Sequence, residues 1–310
     1  MTAPSAPTAP TAVSFWHART VVPFMLVALI WGSTWLVIKD QVGTVPPSWS
    51  VTWRFMLAAC GMFALAAVRR DPLWLGARGL RVAMAVGIPL FALNFQFVYR
   101  AEQHLTSGIV AVMFALLLVP NALLARTFLG QPVTRRFLGG SAVAIAGIAL
   151  LLWHEFRDAP PEGGIALGIV FTLVGIGCAS VSNVVQATGP ARDYPMTTLL
   201  AWAMAFGALA DVAIAWMLAG PPQVEWRAGY FAGIAYLALV GSVLTFPLYF
   251  GLVRTLGAGR AAYNGVLVPV VAMLLSTLFE GYRWTPIAAS GAALALVGLV
   301  LALKARNPAK

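Results

Sequence analysis

Ten long apolar stretches are the feature of this sequence that most restricts its fold. They run at about residues 21–38, 49–68, 80–99, 105–125, 137–153, 164–187, 196–218, 229–253, 261–279 and 285–303. Each has roughly the 17 to 25 residues that an α-helix needs to cross about 30 Å of hydrocarbon. The pattern predicts an all-α integral membrane protein with ten transmembrane helices, numbered segments 1 to 10 below.

The composition agrees with a membrane fold and excludes a soluble one. Of the 310 residues, 60% are hydrophobic and only 10% are charged, whereas a soluble domain carries about 25% charged residues. The connectors are too short for a soluble domain. We expect a disordered tail at 1–20, a first five-helix unit at 21–153, a linker at 154–163, a second unit at 164–304 and a tail at 305–310.

The basic residues predict the orientation of the chain in the membrane. With alternating segments, fourteen Lys and Arg fall on the side that holds both termini, five fall on the opposite side, and Arg54 lies inside a segment. The positive-inside rule then places both termini in the cytoplasm of a bacterial-type inner membrane. This topology explains the net charge of +10 better than nucleic-acid binding does, because no basic stripe interleaved with aromatic residues is present.

The two halves of the sequence repeat each other. Pro120 aligns with Pro269, and the pair Gly140 and Gly147 aligns with Gly291 and Gly298. Because a five-helix unit crosses the membrane an odd number of times, the second copy is inverted relative to the first. Two inverted repeats around a central cavity are typical of transporters that work by alternating access.

Short motifs in the same order indicate a family. They are Trp31-Gly32-Ser33-Thr34-Trp35 followed by Lys39 in segment 1, Trp53-Arg54-Phe55 in segment 2, and Pro269 with Leu278-Phe279-Glu280 in segment 9. Over residues 20 to 304 the chain resembles the EamA-type members of the drug/metabolite transporter superfamily. The resemblance implies an exporter of amino acids, other metabolites or drugs, with helices 3, 4, 8 and 9 lining a cavity. One departure is Gln131, where the family often has a first Glu.

Two charged residues lie within the apolar segments, where a charge costs about 2.5 to 3.5 kcal/mol on insertion scales. Arg54 and Asp211 fall at similar depths in segments 2 and 7, which correspond in the repeat. We therefore predict that they form a charge pair or take part in ion coupling. The alternatives left open are that such a pair is purely structural, that the Arg54 guanidinium extends to the lipid headgroups, and that Asp211 binds a proton.

Polar and aromatic residues within the segments are candidates for the substrate site. They are Asn94, Gln96, Tyr99, Tyr249, Tyr263, Asn264 and Trp31. Such residues supply hydrogen bonds and flat apolar walls suited to an aromatic solute, but lone polar residues on membrane helices often only join neighbouring helices.

Four prolines lie inside apolar segments and are predicted to permit gating. They are Pro89, Pro120, Pro247 and Pro269 in segments 3, 4, 8 and 9. Each removes a backbone hydrogen bond and allows a kink; static kinks are the alternative.

The sequence favours a secondary transporter over other classes. Its three histidines, His17, His104 and His154, lie far apart, and it has no catalytic or ATP-binding motif. We expect no cofactor, metal, nucleic acid or ATP, and a monomer in the bilayer with a small-molecule substrate. Export of amino acids, aromatic ones above others, is the favoured function; export of drugs or other metabolites, and a channel or a membrane enzyme, are alternatives.

Overall fold

A computed structural model of the chain describes residues 18–158, 164–256 and 261–306, and all regular elements in these ranges are helices. Nine of the described helices are long and apolar enough to cross a membrane, and Asn264–Phe279 is a shorter apolar helix. These ten segments confirm the predicted all-helical membrane fold. Of the predicted tails at 1–20 and 305–310, residues 18–20 and 305–306 belong to the first and last helices. The rest of both tails, and linker residues 159–163, lie outside the described residues.

The segments begin and end close to the predicted positions. Their bounds are Ala18–Gln41, Pro47–Val68, Gly76–Ala101 in three pieces, Ser107–Leu129 in three pieces, Arg135–Asp158, Ile165–Gln186, Met196–Ala219, Ala228–Leu256 in three pieces, Asn264–Phe279 and Pro286–Arg306. Segment 5 continues to Asp158, so residues 154–158, which the sequence suggested as linker, are helical. Segment 9 has 16 residues, about 24 Å at 1.5 Å per residue, which is short for a full crossing.

The packing of the segments follows the predicted repeat. Segment 1 packs on segments 8 and 9, and its counterpart, segment 6, packs on segments 3 and 4. Segment 2 packs on segment 8, and its counterpart, segment 7, packs on segment 3. In addition, three pairs of corresponding segments pack on each other: 2 with 7, 4 with 9, and 5 with 10. The second half of the chain therefore repeats the contacts of the first.

Segments 3 and 8 are both interrupted by π-helical turns. The turns span Ile88–Asn94 and Tyr236–Leu244. Pro89 lies inside the first turn, and Pro247 follows the second by three residues, so the prolines coincide with the places where regular α-helical hydrogen bonding is interrupted. In segment 8, the hydroxyls of Ser242 and Thr245 donate to backbone carbonyls five residues earlier. Such turns are frequent at functional sites.

Segments 5 and 10 are joined by a seam of four glycines. A Cβ on Gly147 would lie 2.3 Å from the backbone nitrogen of Ala295, and a Cβ on Gly298 would lie 2.2 Å from that of Ala144. Gly140 and Gly291 are equally close to the facing backbone. Because lipid tails give no hydrophobic drive for association, such close backbone approach is what stabilises a helix pair in a bilayer.

Replacing Gly298 with Ala is expected to destabilise the protein by about 1–3 kcal/mol, because the new methyl group overlaps backbone atoms that no side-chain rotation can move. The measurement is the fraction of monodisperse protein that remains after heating in detergent. Gly139→Ala is the matched control, since nothing lies within 4 Å of a Cβ at that position of segment 5. Equal losses in the two variants would contradict the seam.

Candidate functional site

Segments 4 and 9 are close together at one end of the bundle and separate toward the other. We call the end where segment 1 begins, at Ala18, the terminal end, and the end where segment 1 finishes the far end. A Cβ on Gly108, at the start of segment 4, would lie 2.6 Å from the sulfur of Met273. The last piece of segment 4, Leu118–Leu129, packs instead on segment 6. Residues 114–121 are partly exposed on every face of the helix, which fits a cleft that widens toward the terminal end.

The far end is closed by polar contacts that join segments 1 and 9 to the connector between segments 3 and 4. The Lys39 ammonium donates to the backbone oxygens of Glu102 and, at 2.9 Å, of Leu105. The Glu280 carboxylate accepts from the backbone N–H of Ser107 at 3.1 Å and from its hydroxyl. These five residues are called the far-end latch.

The charges of the latch suit the helix ends that they meet. Lys39 binds the carbonyl of Glu102 at the C-terminal end of segment 3, where the helix dipole attracts a cation. Glu280 caps the free N–H groups at the start of segment 4, where the dipole attracts an anion. Because Glu280 belongs to the second repeat and Ser107 to the first, this contact holds the two halves together at the far end.

Asp211 is reached by Gln96 rather than by Arg54. The Gln96 amide donates to Asp211 Oδ1 at 2.7 Å, and the Gln96 side-chain oxygen accepts from Arg100 at 2.7 Å. Arg100 also donates to the hydroxyl of Ser48 at 2.8 Å. One amide thus bridges a buried acid to a partly exposed base. These four residues tie segments 2, 3 and 7 together.

Arg54 makes a different contact from the one predicted. Its guanidinium lies 4.3 Å from the ring centroid of Phe95 and 5.0 Å from that of Phe55, distances typical of cation–π interactions. The direct ion pair with Asp211 is therefore absent from the described residues. Segments 2 and 7 do pack on each other, but the rotation of each helix directs the two charges to different neighbours.

Exchange of Gln96 for Met is expected to destabilise the protein by about 1–3 kcal/mol, because Asp211 loses its donor while it stays buried. Thermal unfolding in detergent measures the change. Gln103→Met is the control, since this nearby glutamine is exposed. A Gln96→Met protein as stable as the control would show that Asp211 does not depend on the bridge.

A chain of aromatic rings crosses the interior on segments 1, 2, 3 and 8. Trp31 lies 5.0 Å from Tyr249 and 5.6 Å from Phe246, and Phe246 lies 5.8 Å from Phe91, between ring centroids. Phe55 continues the chain at 5.2 Å from Phe91. The Trp31 indole also donates to the backbone oxygen of Gly241 at 3.2 Å, inside the π-helical turn of segment 8. The rings of Trp31, Phe246 and Tyr249 remain partly exposed, so we call these three residues the aromatic wall.

The seven predicted substrate residues do not form one site. Trp31, Tyr249 and Tyr263 pack in one cluster. Gln96 belongs to the bridge to Asp211, and Tyr99 donates to Gln41 at 3.2 Å. Two asparagines serve other contacts.

Of these asparagines, Asn264 donates to the backbone oxygen of Phe24 at 2.7 Å and so joins segments 1 and 9. Asn94 lies in the π-helical turn of segment 3, against Gly175 of segment 6. Both side chains are buried. Their substrate-binding roles stay predictions.

The remaining predicted residues lie at helix contacts. A Cβ on Gly32 would lie 2.5 Å from the Val271 side chain, so this motif glycine lets segments 1 and 9 approach. Pro120 is partly exposed in the separating part of segment 4, whereas Pro269 is buried. Sequence reasoning missed Glu102, which lay in the predicted connector, and Ser107, which lay near the start of predicted segment 4. The available signal was a polar side chain at each of these positions beside the apolar runs.

A cavity of about 590 Å³ opens beside the latch at the far end. Segments 1, 8 and 9 form it, and Lys39, Asp40, Tyr236, Phe279 and Glu280 are among its lining residues. The Tyr236 hydroxyl is hydrogen-bonded to Ser33 at 2.7 Å. Most of the cavity lining is apolar, and the charged side chains of Lys39, Asp40 and Glu280 distinguish it from the aromatic wall.

The family model described as the EamA-like transporter family matches residues 19–153 and again residues 166–304. The chain belongs to this family. The two matches divide this transporter into the two repeats that its packing exhibits, and the family is part of the drug/metabolite transporter superfamily.

Curated relatives of this EamA-like transporter cover most of its length. "Uncharacterized inner membrane transporter YedA" of Escherichia coli is 30% identical, over 82% of this chain and 80% of the relative. "Protein PagO" of Salmonella typhimurium is 24% identical over 92% of each chain. "Probable amino-acid metabolite efflux pump" of Escherichia coli is 25% identical over 89% and 92%. A solved crystal structure shares the fold, with a TM-score of 0.65 at 17% identity over 91% of this chain and 95% of that one.

Proposed function

We propose that this transporter exports aromatic amino acids, or metabolites of similar shape, across the inner membrane by alternating access. The observation that carries the proposal is the aromatic wall, whose three residues pack together beside the π-helical turn of segment 8 and stay partly exposed. Aromatic pairs contribute about 0.5–1.5 kcal/mol beyond their buried area. A planar substrate ring is therefore the ligand that this wall favours.

The state of the bundle fits loading from the cytoplasm. With the termini cytoplasmic, as the basic residues predict, the cleft that widens toward the terminal end faces the cytoplasm, and the latch closes the periplasmic side. Release then requires Lys39 and Glu280 to leave the connector between segments 3 and 4. The interrupted helices at Pro89 and Pro247 provide the bending points for that change.

Asp211 and Arg54 serve this proposed cycle as structural residues. Asp211 is held by Gln96, and Arg54 by the Phe95 ring, so neither faces the aromatic wall. Their contacts join segments 2, 3 and 7 into one block against which the latch moves.

The naming of one relative agrees with the substrate class. The Escherichia coli relative named an amino-acid metabolite efflux pump aligns over 89% of this chain. At 25% identity, this likeness supports amino-acid metabolites as the first class to test.

Counterflow in proteoliposomes tests the proposal with labelled Phe, Tyr and Trp, and with Leu, Ala and Lys as comparison substrates. We expect saturable counterflow of the aromatic amino acids. Trp31→Ala is expected to raise the half-saturating concentration about tenfold, because roughly 1.4 kcal/mol of ring contact is lost.

The matched control is Trp216→Ala, since Trp216 of segment 7 is 57% exposed on the outer surface. An equal change in both variants would assign the effect of Trp31 to folding. Absence of saturable counterflow for every amino acid in the panel would overturn the substrate class.

A further inference from the structure

We infer that Glu102 is a proton-binding site that controls the far-end latch, so that the latch closes only with a proton on this carboxyl group. Sequence and family give this residue no role. The inference rests on the proposed function in one respect: the latch has to open during transport.

Glu102 is buried without a hydrogen-bond partner for its side chain. It is 0% exposed, and neither carboxyl oxygen has a partner among the residues that the structure describes. The nearest cation does not bind it, because the Lys39 ammonium donates to the backbone oxygens of Glu102 and Leu105 instead. The far-end latch therefore closes over a carboxyl group that it does not neutralise.

An ionised carboxylate in this position carries a large desolvation penalty, of several kcal/mol per unpaired buried ion. The neutral acid avoids most of that penalty. Burial accordingly raises the pKa of Glu102 well above its usual range, and the nearby Glu280 carboxylate raises it further, while Lys39 and Arg54 act in the opposite direction.

The charged and titratable groups around Glu102 come from every neighbouring element. Lys39 lies on segment 1, Arg54 on segment 2 and Glu280 at the end of segment 9. On segment 3, the buried Tyr99 interacts electrostatically with Glu102, and Arg100 is engaged with Gln96 and Ser48. On the connector itself, the His104 ring packs near Phe171.

Opening the latch removes the penalty on the ionised form of Glu102. Water reaches Glu102, its pKa falls toward the ordinary value of about 4.3, and the proton leaves to the far side. The closed state binds the proton more tightly, so acid favours closure and a rise in pH favours opening. At pH values between the ordinary and the raised pKa of Glu102, the closed-to-open ratio changes about tenfold per pH unit, because closure binds one proton.

The test measures latch opening in nanodiscs without any substrate. A single cysteine replaces Thr106, whose hydroxyl is buried in the closed latch, in a chain whose Cys60 and Cys178 are changed to Ser. The rate at which a water-soluble maleimide labels the cysteine at position 106 is followed from pH 5 to 8. Division by the rate at Gln103→Cys, an exposed position, removes the pH dependence of thiol chemistry.

We expect the normalised rate to rise up to tenfold per pH unit over part of this range. Glu102→Gln, which imitates the protonated acid, is expected to give a low rate at every pH, and Glu102→Asp to restore a pH dependence. Glu225→Gln is the control for removal of a far-end carboxylate and is expected to behave as the unmodified chain.

A pH response that survives in Glu102→Gln, or a flat response in the unmodified chain, would overturn the inference. Because the assay contains no transported solute, it is independent of the counterflow result. A pH-gated latch in a protein that carries no aromatic amino acid would refute the substrate proposal alone.

Discussion

Hydrocarbon offers no partner to a backbone amide, and this constraint shapes the whole structure. Each segment has to satisfy its own N–H and C=O groups, so the segments remain helical even where prolines interrupt them. Segment 8 does so with a π-helical turn in which two hydroxyls donate to carbonyls five residues earlier. Within the described parts of the ten segments, helical turns other than α occur in segments 3, 4 and 8, while segments 5 and 10 pack closely through their glycine seam.

Two sets of buried polar groups lie toward the far end and differ in character. The set around Gln96 is linked by hydrogen bonds from Ser48 to Asp211, and it joins helices in the manner expected of polar residues in a bilayer. The far-end latch is less satisfied, because its two firm contacts leave the Glu102 side chain without a partner. A buried group that is not satisfied favours a second state, and the latch joins the two repeats at the far end.

In the proposed function, the aromatic wall binds the substrate and the latch acts as the gate. The wall lies where segment 1 meets the interrupted part of segment 8. A change in the π-helical turn therefore moves the carbonyl to which the Trp31 indole donates. The latch lies at the other end of segment 1, where Lys39 holds the connector after segment 3. Segment 1 therefore touches both places and is well situated to couple them.

The sequence by itself determined the number of segments, the duplication and the family. The length of the apolar runs predicts the ten crossings, and the matching spacing of Gly140 and Gly147 with Gly291 and Gly298 predicts the duplication. These properties depend on local composition and period, which a single sequence contains. Even the helix ends were predicted to within a few residues, apart from the end of segment 5, where residues 154–158 are also helical.

Only the tertiary structure decided which side chains meet. Position along a segment gives the depth of Arg54 and Asp211, but their partners depend on how each helix is rotated about its axis, and that rotation directs Asp211 to Gln96 and Arg54 to Phe95. The latch likewise joins residues 63 and 173 positions apart in the chain. Hydrogen bonds need atoms within about 3 Å, and no spacing in the sequence fixes distances on that scale between separate helices.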